Sequence, residues 1–262
     1  MKRYLIILFI IVLILYSCSR DRPKRLSKIK GNLNLQIDSI IIKSKGKVFK
    51  AEGDVLLYNS IDNILLWKIK TDTLIDYQDK KKSVFTPLEL FYFDSTGNKL
   101  LDIKSQKGIL LKDRYIIIAI KDVKLNLVAE NKHLKVKTDS LVSFYKKYIT
   151  KAYPLYAEVY DKNMDTLYLI VKAKFALLKQ DSMKIYLKGN VFVKNMLDSS
   201  FLKTENLIYS YVEDKIVSSS KVFFRTKEGN FIEGEGFVSD RNLHKWKILR
   251  NIKGKFINVD LE

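Results

Sequence analysis

The sequence predicts an all-β protein built as a stack of about six repeats of 30–35 residues, behind an N-terminal signal or anchor segment. Three observations carry this. The first is a short signature, aliphatic then charged then small, that recurs as Ile69-Lys70-Thr71, Ile103-Lys104-Ser105, Val136-Lys137-Thr138, Val171-Lys172-Ala173, Leu202-Lys203-Thr204 and Ile232-Glu233-Gly234, with successive copies 34, 33, 35, 31 and 30 residues apart. Near-even spacing of this kind belongs to stacked units, not to an irregular core. The second is a column of corner residues 16 positions after each small residue, namely Pro87, Lys121, Pro154, Gly189, Ser220 and Arg250. The third is that no segment beyond the N-terminal one sustains a 3.6-residue apolar period over the length of a helix.

Taking the elements in order, Met1 to Ser17 reads as an export signal: Lys2 and Arg3, then an apolar run from Tyr4 to Tyr16, then a small residue before Cys18. That run of 13 residues is shorter than the roughly 20 a spanning helix needs. Leu15-Tyr16-Ser17-Cys18 resembles a lipobox, which makes Cys18 the expected lipidation site and first mature residue; an uncleaved anchor is the other reading. Residues 18–30 form a basic tether, with Arg20, Arg22, Lys24, Arg25, Lys28 and Lys30 suited to anionic headgroups. Residues 31–262 are expected to fold as one repeat-built domain. Since Cys18 is the only cysteine, no disulfide forms within the chain, and packing alone holds the fold.

Within each signature the aliphatic and small residues stand two apart, so a strand turns Ile69, Ile103, Val136, Val171, Leu202 and Ile232 to one face. Lys70, Lys104, Lys137, Lys172, Lys203 and Glu233 turn to the other. A further strand follows each corner: Leu88 to Phe93, Val123 to Val128, Leu155 to Tyr160, Val191 to Lys194, Val222 to Arg225 and Ile252 to Ile257. About three short strands per repeat are expected, joined by polar turns such as Gln78-Asp79-Lys80, Asp94 to Asn98, Gln180-Asp181-Ser182 and Val212-Glu213-Asp214. In the two proline copies the apolar alternation starts one residue early, at Leu88 and Leu155 instead of a position like Val123 or Val191. A one-residue slip exchanges the faces of a strand, so a tighter turn or a bulge must compensate.

The formal charge of +19 arises from 48 Lys+Arg against 29 Asp+Glu, with 40 lysines to 8 arginines, a bias that is partly compositional and partly a preference for anionic partners. Nucleic acid is not expected, because zinc-finger spacing, RNA-binding aromatic motifs and a basic recognition helix are all missing. Catalysis, cofactors and metal binding are not expected either. His133 and His244 are the only histidines and lack partners at ligand spacing, Glu233 and Glu235 read as a solvated strand face, and Gly234-Glu235-Gly236 lacks the lysine-serine tail of a phosphate loop. The glycines read instead as sites of a bend or close backbone approach.

The run Phe201-Leu202-Lys203-Thr204-Glu205-Asn206-Leu207-Ile208-Tyr209-Ser210, with Asp214 to Ser218, Val222 to Thr226 and Gly234-Glu235-Gly236-Phe237, resembles the LptC-type lipopolysaccharide-export proteins, part of an LptC/LptA/OstA-like superfamily. Trp67-Lys68-Ile69, Pro87 and Phe93 to Gly97 resemble the first half of that family more loosely. The resemblance implies an elongated twisted β-jellyroll on the periplasmic side of the bacterial inner membrane, held by an N-terminal lipid or anchor, with the outer membrane as the alternative residence. It further implies a non-catalytic part in lipopolysaccharide transport, receiving the lipid from an inner-membrane ABC transporter complex and passing it to a periplasmic LptA-like bridge protein by joining strand edges. An outer-membrane-side or soluble-bridge relative, and a surface lipoprotein using the stack as a scaffold, are the alternatives. On this reading the groove candidates are Ile69, Ile103, Val136, Thr138, Val171, Ala173, Leu202, Thr204, Ile232 and Gly234, and the partner-edge candidates are Phe224, Gly236 and Phe237. An acyl chain of about a dozen methylenes costs on the order of 10 kcal/mol to carry through water, which an apolar trough removes. Lysines at its mouth would meet the phosphates. Whether the aliphatic face is an open groove or a sealed core is left open by the sequence.

Overall fold

The computed structural model describes residues 32–38, 43–45, 48–61, 64–94, 96–129, 132–161 and 163–255. The signal segment, Cys18 and the basic tether lie outside the described residues. In chain order the strands are β1 (Asn32–Asp38), β2 (Lys43–Lys45), β3 (Val48–Ile61), β4 (Ile64–Tyr77), β5 (Lys82–Thr86), β6 (Leu88–Phe93), β7 (Lys99–Ser105), β8 (Lys107–Leu111), β9 (Ile116–Ala129) and β10 (Lys132–Phe144). There follow β11 (Ile149–Tyr153), β12 (Leu155–Asp161), β13 (Leu167–Ala173), β14 (Phe175–Lys179), β15 (Lys184–Asn195), β16 (Phe201–Ser210), β17 (Lys215–Arg225), β18 (Phe231–Asp240) and β19 (Trp246–Lys255). All pairings are antiparallel within one hydrogen-bonded sheet, and no helix occurs among the described residues.

The sheet folds over itself at the corners. β4 pairs with β6 through Trp67 to Lys70 and with β5 through Thr73 to Tyr77; β10 likewise pairs with β12 through Lys132 to Lys137 and with β11 through Ser140 to Phe144. Each repeat therefore places one half of its strands in a first layer, with β6, β7, β12 and β13, and the other half in a second, with β5, β8, β11 and β14. Side chains from both layers meet in common apolar clusters: Leu90, Ile103 and Val136 of the first pack with Leu74, Phe85 and Leu141 of the second. The proline-cornered repeats keep three short strands, β5, β6 and β7 and again β11, β12 and β13, whereas the others join two into one long strand. β3, β4 and β9 each run 14 residues, because the backbone carries on through the corner instead of ending there.

Two corner designs explain the one-residue offset between copies. At Pro87 and Pro154 the strand breaks, one residue turns the chain, and the register against the partner strand is the same on both sides: Thr73 faces Thr86 and Lys70 faces Glu89, while Ser140 faces Tyr153 and Lys137 faces Tyr156. Proline cannot donate to the ladder, so a break there leaves no amide unpaired. At Lys121-Asp122 and Gly189-Asn190 the strand continues and bulges, with two residues opposite one, and all four adopt positive φ. The extra residue restores the inward face for Val123 and Val191, which are buried.

The small signature residue secures the corner. The Thr71 hydroxyl donates to the carbonyl of Thr73 and accepts the Thr86 amide, each at 2.9 Å. Thr138 repeats this with the carbonyl of Ser140 and the Tyr153 amide, each at 3.0 Å. The hydroxyl thus satisfies the amide just before each proline. The hairpin ends form a second ladder: the first residue of each turn donates its amide to the last carbonyl of the turn before, as Lys112 to Lys81, Tyr145 to Tyr115, Gln180 to Tyr148 and Tyr211 to Met183. Those last residues and Asp214 all have φ between 45° and 56°.

Candidate functional site: the apolar face between the layers

The signature columns lie between the two layers. Ile103, Val136, Leu202 and Ile232 are buried, and Ile69 and Val171 are half-buried against the clusters. Lys70, Lys104, Lys137, Lys172 and Lys203 are exposed on the outside, and Glu233 is half-buried there. The small positions Thr138, Ala173, Thr204 and Gly234 are buried at the corners. Thr204 gives its hydroxyl to the carbonyl of Lys221 at 3.0 Å and shares a 2.8 Å hydrogen bond with Ser218, so it and Thr138 are occupied in holding the fold. At Gly234 a Cβ would collide with Cγ2 of Ile248 and stand 2.8 Å from the carbonyl oxygen of Arg250; its absence lets β19 close on β18.

The interior is not uniform. Around the carboxyl-terminal strands it is filled: Leu202, Phe224 and Phe237 have no exposed surface, and the rings of Phe224 and Phe237 stand 5.3 Å apart. This corrects the assignment of Phe224, Gly236 and Phe237 to a partner edge. All three are buried, and they belong to β17 and β18, each of which has a neighbour on both sides. The terminal strand is β19, which pairs only with β18 among the described residues and exposes Leu249 and Ile252 at 49% and 59%.

Along β12 and β13 the inward face is open instead. Leu155, Val159, Leu169 and Val171 point to the interior yet stay half-buried, and Leu155 and Val171 pack against both apolar clusters, bridging them. Four alanines surround this stretch: Ala157, opposite Val171, and Ala173, opposite Leu155, in the first layer, and Ala152, opposite Ala176, in the second. These four positions send only a methyl group into the interior, as Ala51 and Ala119 do in β3 and β9. Sequence reasoning found Val171 and Ala173 by their signature but missed Leu155, Val159, Leu169, Ala152, Ala157 and Ala176 as site residues. The cluster of inward alanines, each on the inner parity of its strand, is the signal that could have shown them.

The outer side of the same strands is polar and charged. Tyr156 and Tyr160 donate to the two oxygens of Glu158 at 2.6 and 3.0 Å. The Tyr156 bond leads the effects that hold the Glu158 carboxyl below its usual range, and in return that bond pushes the Tyr156 hydroxyl up to about 12. Lys137 and Lys172 flank the Tyr156 ring at 5.7 and 5.3 Å. Among the described residues no cluster of three or more His, Cys, Asp and Glu is arranged to hold a metal ion.

The described chain is an antiparallel β-jellyroll with an apolar face between its layers, half-buried along β12 and β13. Residues 156–257, which take in most of β12 and all of β13 to β19, match the family described as lipopolysaccharide-assembly, LptC-related. Among solved structures the chain is similar to LptH, the LptA homologous periplasmic component of the conserved lipopolysaccharide transport device from Pseudomonas aeruginosa, at 16% identity and a TM-score of 0.36 over 47% of this chain and 82% of that one. A likeness of that size carries no argument. No curated protein matches the chain.

Proposed function

We propose that the protein is a non-catalytic component of lipopolysaccharide transport whose inner apolar face carries the acyl chains. The observation that supports it is the half-buried inward stretch Leu155, Val159, Leu169 and Val171, which bridges the two clusters and, from Val159 on, lies inside the segment matched by the LptC-related family. Burying a chain of about a dozen methylenes there recovers on the order of 10 kcal/mol. The filled regions around Leu202 and Ile103 would part as the lipid advances. In this reading residues 31–262 are the transport domain, residues 1–17 direct export, and Cys18 with the basic tract of residues 18–30 holds the chain on the periplasmic side of the inner membrane. Lipopolysaccharide arrives from an inner-membrane ABC transporter and leaves to a bridge protein of the same fold. The side of β19 that pairs with no strand among the described residues suits that departure, beside exposed Leu249 and Ile252.

The test is to fill the open stretch. Ala176→Phe puts a ring where a methyl group stands, at an overpacking cost of about 1–3 kcal/mol. Transfer of lipopolysaccharide from transporter-bearing vesicles to an acceptor should fall on the order of tenfold or more, with the melting transition still cooperative. Lys179→Ala, on the outward face of the same strand, should transfer normally. Wild-type transfer by a folded Ala176→Phe protein would sink the proposal.

A further inference from the structure

We propose that the outer wall of the first layer, at strands β15 to β18, docks on an anionic phospholipid bilayer. Cross-strand register lays out two neighbouring rows on this wall: Lys172, Phe192, Lys203, Phe223 and Glu233 in one, and Lys194, Phe201, Arg225 and Phe231 in the next. Rings and cations alternate in both directions. The rings form a continuous file, with centroids 5.7 Å apart for Phe192 and Phe201, 5.9 Å for Phe201 and Phe223, and 5.6 Å for Phe223 and Phe231. Lys203 lies over two of them, at 5.4 and 5.9 Å, and Arg225 over Phe231 at 5.4 Å. All four rings face away from the core and are half-buried only, and the wall encloses an open depression of about 680 Å³ lined by Lys172, Lys203, Lys221, Phe192 and Phe223.

Charge complementarity selects the occupant. Lys172, Lys194, Lys203, Lys221 and Arg225 stand against the carboxylates Glu205, Glu233 and Glu235, of which Glu233 is engaged by Lys221 at 3.2 Å and Glu235 lies opposite Lys221 in the register. Aromatic rings at the same height as lysines suit the headgroup region, where rings settle among glycerol esters and cations meet phosphates. A soluble acidic partner would use the cations and leave the file of phenylalanines in water. The patch has a natural limit, because a twist of about 20–25° per strand lets only four or five neighbouring strands approach one plane. On the outer wall of the second layer, among the described residues, rings and cations meet only in separate contacts, Tyr153 with Phe175 at 4.9 Å, Lys151 over Phe144 at 5.3 Å and Lys179 over Tyr186 at 5.4 Å, and the row through Leu177, Tyr186, Ile208, Val217 and Val238 is mainly aliphatic.

The experiment compares the two walls in the full-length chain, so any attachment through the N-terminal segment is common to every arm. A fluorescent amino acid replaces Phe223 in one protein and Val217 in another, and quenching by brominated phosphatidylcholine is read in vesicles with and without phosphatidylglycerol. Strong quenching is expected at position 223 only, only with phosphatidylglycerol, and it should fade at about 0.5 M salt. Lys203→Glu with Arg225→Glu should weaken the docking on the order of tenfold. Equal quenching at both positions, quenching at 217 instead, or quenching at 223 that is indifferent to phosphatidylglycerol overturns the proposal. A normal melting transition of the charge-reversed protein shows that any loss is not unfolding.

Discussion

Thr71 and Thr138 show how a single hydroxyl sets a corner, since each accepts the amide that precedes a proline and donates to a carbonyl two residues on. Thr138→Val keeps the shape and leaves the Tyr153 amide without its acceptor, so stability should drop by about 1–3 kcal/mol in denaturant titrations. Val136→Ala would also destabilise, but through a lost methyl contact, and would leave amide exchange at Tyr153 unchanged. Gly234→Ala should destabilise by a comparable amount, about 1–3 kcal/mol, because the added methyl meets Ile248 and the Arg250 carbonyl. Outside the core, Tyr156 and Glu158 make a pair whose titration can be followed directly. The Glu158 carboxyl is held low, so the bond contributes fully above the ordinary carboxylate range and is lost as the pH falls through the lowered value. Tyr156→Phe should therefore move the Glu158 titration upward in carbon-detected NMR. An unchanged titration would mean that the bond is not formed in solution.

At the scale of the strand, the inside-outside alternation could be read from the sequence, because aliphatic and charged residues keep a strict period of two through all six signatures. The corners were legible as positions but not as geometry. Proline and bulge corners solve the same problem with one residue and with two, and the sequence shows only the resulting offset at Leu88 and Leu155. The hairpin ladder was harder to see. Its positive-φ positions carry Lys81, Tyr115, Tyr148 and Met183, residues that turn rules do not favour there, because the ladder hydrogen bond and not local propensity holds them. The open stretch along β12 and β13 escaped notice for a different reason. A small side chain signals nothing in one strand, and its setting emerges only when Ala152, Ala157, Ala173 and Ala176 come together from both layers. The misplaced partner edge has the same origin: Phe224 and Phe237 look available in a diverged terminal repeat, and only the presence of β19 covers them.

For the whole molecule, we propose a lipid path between the layers and a bilayer contact on the outer wall of the first layer. The inward column from Ile69 to Ile232 would line such a path; it is tightly packed at the carboxyl-terminal strands and half-buried at Val171. A path that is partly closed at rest must open in use, so lipopolysaccharide should speed amide exchange in β15 and β16, which line the filled part, relative to the corner amides of Thr86 and Tyr153. Loss of that contrast would favour a rigid scaffold. The most direct measurement is site-specific photo-crosslinking in cells, with the reactive side chain at Val171 in one protein and at its neighbour Lys172 in another. The two positions lie on one strand and on opposite faces, so location along the molecule cancels. Lipopolysaccharide adducts at position 171 and their absence at position 172 are the predicted result; equal labelling at both, or labelling at 172 alone, would contradict an interior lipid path.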